Sequence, residues 1–239
     1  MKALQIFSGF LLVVTFLPHA VNAQFNSDES APISETITYD INVFIGAPQN
    51  DFQDNLDRAA VGIDFAGAFK FPDTPVQFGA EIGIMTYGMD ERKEPFNPNI
   101  PEVTVTVETS YDILTGHLFL RFEPETGRVK PYLDGLFGFK YLFTETKIGD
   151  SNNYDTIASD TNFDDTALSY GFGAGLKIRL AQNSKQNIYL NLKSRYLFGN
   201  EATYLKPGSI TINNGSLQFA EETSSTDLFQ FELGVAFGM

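Results

Sequence analysis

Between residues 166 and 180, apolar and polar positions alternate almost without interruption. Leu168, Tyr170, Phe172, Ala174, Leu176, Ile178 and Leu180 fall on one face of an extended strand. Ala167, Ser169, Gly171, Gly173, Gly175, Lys177 and Arg179 fall on the other. A strand in a soluble protein usually ends after about 5–6 residues, whereas a tilted strand that crosses a bilayer needs roughly 9–11. An unbroken oily face opposite glycines and cations suits a strand with lipid on one side and a narrow wet lumen on the other.

The same alternation predicts seven more strands, at 37–46, 59–71, 76–87, 112–123, 129–143, 188–198 and 229–239. In the first, Ile37, Tyr39, Ile41, Val43 and Ile45 oppose Thr38, Asp40, Asn42 and Phe44. In the last, Phe229, Phe231, Leu233, Val235, Phe237 and Met239 oppose Gln230, Glu232, Gly234, Ala236 and Gly238. Eight is an even number, as a closed up-and-down barrel requires.

The connections fall into two alternating kinds. Short turns are expected at Pro72-Asp73-Thr74-Pro75, Pro124-Glu125-Thr126-Gly127 and Gln182-Asn183-Ser184-Lys185. Long polar loops are expected at about 47–58, 88–102, 145–165 and 200–227. The chain thus reads as all-β: an eight-stranded antiparallel transmembrane β-barrel with short periplasmic turns and long extracellular loops. A soluble lipocalin-like barrel is the competing reading. Its strands would be shorter, and its loop lengths need not alternate so strictly.

The N-terminus adds the route. Met1-Lys2-Ala3 is followed by an uncharged run from Leu4 to Leu17 and by Val21-Asn22-Ala23. This is the order of a secretory signal peptide, cleaved after Ala23. The run is too short for a spanning helix, and no cysteine follows it to carry a lipid. Residues 1–23 are therefore expected as signal peptide, 24–36 as a periplasmic tail and 37–239 as the barrel. The chain has no cysteine, so no disulfide framework supports it. Its formal charge is −14, which argues against nucleic acid as a partner.

The pattern of strand, short turn, strand and long loop resembles the eight-stranded OmpA/OmpX-type outer-membrane barrels, the porin-like β-barrel domain proteins. The C-terminus carries the most specific part of the likeness. Insertion signals in that family resemble polar-x-Gly-x-x-aromatic-x-aromatic, and Glu232, Gly234, Phe237 and Met239 occupy those positions, with Met239 departing from the terminal aromatic. The run Val129-Lys130-Pro131-Tyr132-Leu133-Asp134-Gly135 is also similar to a stretch common in the fifth strand of such barrels. The resemblance implies residence in the bacterial outer membrane as a monomer, contact with outer-membrane lipids and lipopolysaccharide, and recognition by the barrel-assembly machinery. It does not extend to cell-wall tethering, because no peptidoglycan-binding domain is seen after the barrel.

Candidate chemistry lies on the inward faces. The acids there are Asp40, Asp64, Glu81, Glu123, Asp134 and Glu232; the bases are Lys70, Arg121, Lys130, Lys140, Lys177, Arg179, Lys193 and Arg195. An eight-stranded lumen is just wide enough for side chains to fill it, so these charges are expected to pair and plug it. The core of that network is expected from Asp40, Asp64, Glu81, Arg121, Asp134, Lys140, Lys193, Arg195 and Glu232. A small-solute or ion channel is the alternative.

A lipid-modifying enzyme would need a Ser-His-acid arrangement. His117 is the one histidine left after signal removal, with Ser169 and Ser194 as serines within predicted strands and Ser194 facing lipid. No catalytic residue and no cofactor is assigned. Asp150, Asn152 and Asp155 in the third long loop offer oxygen ligands. Counted from Asp150, the EF-hand positions for glycine and glutamate are Asp155 and Thr161, so a solvated acidic loop is expected instead. The four long loops together carry a net −12, an acidic exterior suited to cations, basic partners or cation-bridged lipopolysaccharide.

Overall fold

A computed structural model describes residues 35–97, 100–150, 156–183, 185–213 and 216–239. Residues 1–34, which hold the expected signal peptide and most of the expected tail, lie outside the described residues. Eight strands close into an antiparallel ring: β1 (Ile37–Pro48), β2 (Ala60–Lys70), β3 (Val76–Asn97), β4 (Ile100–Phe122), β5 (Val129–Asp150), β6 (Thr156–Gln182), β7 (Asn187–Gly199) and β10 (Leu228–Gly238). The first and last strands meet directly, with Ile41 opposite Val235 and Val43 opposite Leu233. Closure leaves no sheet edge within the ring.

Period 2 sorts the side chains as the alternation predicts. On the outside, Phe65, Ile82, Leu118, Leu133, Phe137, Phe172 and Phe231 are exposed, Leu133 and Phe172 by 62% each. On the inside, Asp40, Asn42, Glu81, Arg121, Lys140, Lys193, Arg195 and Glu232 are buried. A continuous exposed apolar band around a polar interior inverts the arrangement of a soluble fold and fits a hydrocarbon surround. Glycines on the inner face make room for the large polar groups. A Cβ on Gly175 would lie 2.2 Å from the Tyr132 ring.

The polar connections at the loop end are more structured than the sequence suggests. Strands β3 to β6 run well past their neighbours. Pairing between β3 and β4 continues to Asn97 opposite Ile100, and pairing between β5 and β6 to Gly149 opposite Thr156. By contrast β6–β7 pairing stops at Ser169 opposite Gly199, and β1–β2 pairing at Gly46 opposite Ala60. Segments 88–102 and 145–165, expected as loops, are thus largely strand. Val103, Val105 and Val107 alternating with Thr104, Thr106 and Glu108 are the sequence sign of this extension.

Segment 47–58 contains a short helix, α1 (Asp51–Leu56), and segment 200–227 a hairpin, β8 (Glu201–Asn213) and β9 (Ser216–Ser225). At the turn end, Glu35 and Thr36, expected in the tail, are held by the barrel. The backbone N–H groups of Thr36 and Ile37 both donate to the Met239 carbonyl, and Lys70 N–H donates to the Thr36 carbonyl.

Candidate functional site

The lumen is filled along its length, and the filling can be followed from the turn end upward. Glu35 closes the bottom. Its carboxylate accepts from Lys130 Nζ at 2.7 Å, Asn187 Nδ2 at 2.6 Å and Tyr189 Oη at 2.5 Å. Burial opposes the charge on Glu35, but Lys130 and the Tyr189 and Asn187 donors outweigh it and hold the carboxyl below its ordinary value. No motif marks this residue in the sequence.

Above it, Lys177 lies 3.0 Å from Glu123 and 3.9 Å from Asp40. Arg121 is the centre of this lower tier. Its Nε and Nη2 reach both oxygens of Asp134 at 2.8 and 2.9 Å, while Nη1 reaches Asp40 at 3.0 Å. The guanidinium also lies 4.0 Å from the centroid of the Tyr132 ring. The fork–fork geometry with Asp134 is the arrangement in which an arginine–carboxylate pair is strongest.

A chain of amides links this tier to the next. Tyr132 donates to Asn191 at 2.7 Å, Asn191 to Asn42 at 3.0 Å, and Asn42 to Asp64 at 2.7 Å. In the middle tier, Glu232 lies 2.8 Å from Lys193 and 2.6 Å from Arg195. Glu81 binds Arg195 Nη1 and lies 3.4 Å from Lys193. His117 Nδ1 lies 3.3 Å from Glu81, and its Nε2 shares a 2.9 Å hydrogen bond with Ser169 Oγ.

The structure therefore brings Asp40, Arg121 and Asp134 into one cluster, and Glu81, Lys193, Arg195 and Glu232 into a second. Asp64 joins through Asn42 rather than through an ion pair. Lys140, expected within the paired network, reaches no carboxylate at ion-pair distance among the described residues, and its neighbours on the adjoining strands are Thr115 and Ala167. Its ammonium instead donates to the Leu197 and Thr226 carbonyls. Lys70 and Arg179 are half-buried at the turn end and make no ion pair among the described residues. With Glu35 added and those two bases removed, seven inward acids face six inward bases.

Above Lys140 the chemistry changes. Inward positions become Phe44, Met85, Tyr87, Tyr111, Ile113, Leu142 and Leu228, all buried in one apolar cluster. Phe52 and Leu56 of α1, with Ala202, Tyr204 and Leu205 of β8, complete the cluster from above. Strands β8 and β9 pair only with each other, and their underside forms a cap over the barrel mouth. Tyr87 Oη donates to the Leu205 carbonyl at 2.9 Å, and Asn55 Nδ2 to Tyr204 Oη at 3.1 Å.

A bulge in β8 hooks the cap to β3. Gly208, at φ +83°, donates its N–H to Asp90 at 2.8 Å, and Tyr111 Oη donates to the same carboxylate oxygen at 3.1 Å. Pro207 sits against Gly88, where a Cβ would come within 2.1 Å of the ring. The sequence carried one sign of this cap: Phe44 stands among the polar positions of β1.

At the C-terminus, Glu232 faces the lumen, and Gly234 lies against β1, where a Cβ would come within 2.1 Å of the Ile41 carbonyl. Phe237 is half-buried and Met239 exposed on the outer face. Asn152 and Asp155 lie outside the described residues, and Asp150 ends β5. No group of three or more histidine or acidic side chains able to hold a metal occurs among the described residues.

No protein-family model matches the sequence, and no curated protein does. Among solved structures, the chain is similar to Neisserial surface protein A at 10% identity, covering 85% of this chain and 96% of that one, with a TM-score of 0.43. It is similar to a major outer membrane protein from Thermus thermophilus at 12% identity, covering 85% and 99%, with a TM-score of 0.42. It is also similar to Ail, the attachment invasion locus protein of Yersinia pestis, at 13% identity, covering 87% and 100%, with a TM-score of 0.38.

Proposed function

We propose that this barrel is a non-conducting outer-membrane protein whose work is done at the cell surface, as a structural or surface-interaction protein rather than as a pore. One observation carries the reading: the lumen is occupied without a break from Glu35 to the β8–β9 cap. An ion crossing it would have to part the Arg121–Asp134 pair, the Glu81–Arg195–Glu232 cluster and then an apolar layer. Breaking one buried pair costs about 3–5 kcal/mol, and the layer above is mostly apolar, its Tyr87 and Tyr204 hydroxyls being engaged by the Leu205 carbonyl, Asn55 and Ser224. The outward apolar band and the signal-peptide order of residues 1–23 support the outer membrane as the site.

The reading is non-enzymatic. Ser169, His117 and Glu81 form a line, but Ser169 is completely buried and Glu81 is engaged by Lys193 and Arg195 as well. A hydroxyl sealed between charged tiers has no route to a substrate, and the trio serves as part of the filling.

Conductance in planar bilayers tests the proposal. The purified chain should give no stable openings at moderate voltage. Reproducible steps that change on Arg121→Met or Glu81→Gln would make it a channel. Glu232, Gly234, Phe237 and Met239 are proposed to guide insertion, since β10 completes the ring against β1. Deleting Ala236 to Met239 should lower the amount in the outer membrane, and unchanged insertion would remove that role.

A further inference from the structure

A pocket of about 210 Å³ opens at the seam between the cap and the raised part of the sheet. Three of its lining residues share one cross-strand row: Arg92 of β3 is opposite Val107 of β4, Val107 opposite Ile148 of β5, and Ile148 opposite Ala158 of β6. Thr146, Asp160 and Ile210 of β8 also line it. Ile210 packs against the apolar cluster of the mouth as well, so the pocket borders that cluster.

The polar groups of the wall are largely satisfied. Thr146 Oγ1 accepts from Asn162 Nδ2 at 2.8 Å and shares a 3.0 Å hydrogen bond with Thr109 Oγ1. Ser159 Oγ donates to Glu145, and Arg92 is engaged within the chain. Ile148, Ala158 and Ile210 are left for a guest to cover, so filling the space gains apolar burial. The volume falls short of the roughly 300–1,000 Å³ of small-molecule sites and suits one large side chain. Asp160 differs from its neighbours: it is exposed and has no hydrogen bond or ion pair among the described residues.

Access and charge narrow the guest further. Strand β6 runs on past Ser169, where its pairing with β7 ends, so Ala158 and Asp160 stand exposed on a strand edge. Segment 145–165, which supplies this edge, holds six acids against one base, the most acidic of the four stretches at the loop end. A second copy of the chain would bring one acidic end against another, whereas a cationic chain is attracted.

We propose that the seam pocket docks a cationic polypeptide at the outer surface. One apolar side chain of the guest enters it, and a lysine or arginine beside that side chain meets Asp160. The assignment rests on the surface-interaction reading above and names the chemistry of the partner.

The probe is a short fluorescent peptide with one phenylalanine between two lysines, added to the purified chain in phosphatidylcholine nanodiscs, with empty discs as baseline. It should bind about 10–100-fold more tightly than the same peptide with serine for phenylalanine, the difference that burying one such side chain makes. Ala158→Phe, which fills the pocket from the strand, should make the two peptides equal. Asp160→Asn should weaken the phenylalanine peptide by about 2–5-fold at low salt. At saturation, backbone amides within 158–162 and 206–210 of the wild type should exchange more slowly. No binding, equal binding of both lysine peptides by the wild type, or equally tight binding when glutamates replace the lysines overturns the proposal. Slower exchange of those amides on concentrating the barrel alone assigns the pocket to a second copy and overturns it too. If Ala158→Phe does not fold, the peptide comparison and the exchange in the wild type decide. Conductance tests the non-conducting reading separately, so either can fail without the other.

Discussion

The shaft of the barrel and its mouth fill the same narrow tube with opposite chemistry. In the shaft, charged side chains are matched across the lumen, and specificity comes from register: Arg121 meets Asp134 because β4 and β5 place them opposite each other. In the mouth, aromatic and aliphatic groups from seven ring strands pack against α1 and β8, elements outside the ring. The shaft is built from strands that hold their pairing by closure. The mouth depends on a hairpin that pairs with nothing but itself, and a lone hairpin is marginal without an apolar face to cover. Charge pairing thus serves where the ring fixes distances, and apolar packing where the cover must find its own fit.

The strongest way to break the comparison is to unpair the shaft. Arg121→Met leaves Asp134 buried without its cation and Asp40 with Lys177 alone, and should cost about 3–5 kcal/mol, read from denaturant unfolding of the purified barrel. Adding Asp134→Asn should recover part of that loss. A single mutant as stable as wild type would mean the pair is not a structural unit.

Next comes the mouth. Tyr204→Ala should cost the cap about 3–5 kcal/mol, seen as faster proteolysis within 200–227 while the ring keeps its β circular dichroism. Removing the hairpin altogether should leave a closed, non-conducting ring, because the charged tiers remain. Loss of the folded ring on that deletion would show the two regions to be one cooperative unit.

The hook is a smaller lever. Gly88→Val places a side chain where Pro207 sits and should cost about 1–3 kcal/mol, with the same protease pattern as Tyr204→Ala. Smallest is a pH effect at the turn end. The depressed carboxyl of Glu35 adds stability that is present above its ordinary value of 4.5 and lost as pH falls through the lower folded value. Glu35→Gln should flatten that acid limb of the unfolding midpoint and leave neutral pH less affected. An unchanged limb would assign the acid loss to other carboxylates.

How far these regions could be read in advance differs for the same reason. Period 2 carries the ring: once Leu168 to Leu180 and Phe229 to Met239 alternate, every inward and outward position follows, because a strand has only two faces. The inward charges are therefore legible as a set, and Arg121 with Asp134, like Lys193 with Glu232, needs only the register of two paired strands to meet. Partner choice across the lumen was not legible. In sequence Lys140 looks like the other cations, yet its ammonium reaches the Leu197 and Thr226 carbonyls, whereas Lys177, which also has no acid beside it on a neighbouring strand, reaches Glu123. Glu35 lay outside every alternating segment, yet the folded ring brings Lys130, Asn187 and Tyr189 around it. The cap was least visible. Its polar stretches read as loops, and Tyr204 and Leu205 have no periodic partner in sequence. Local pattern determined which way each side chain points, since that depends on adjacent residues. Tertiary structure alone decided what each one meets, since that depends on distances across a closed ring.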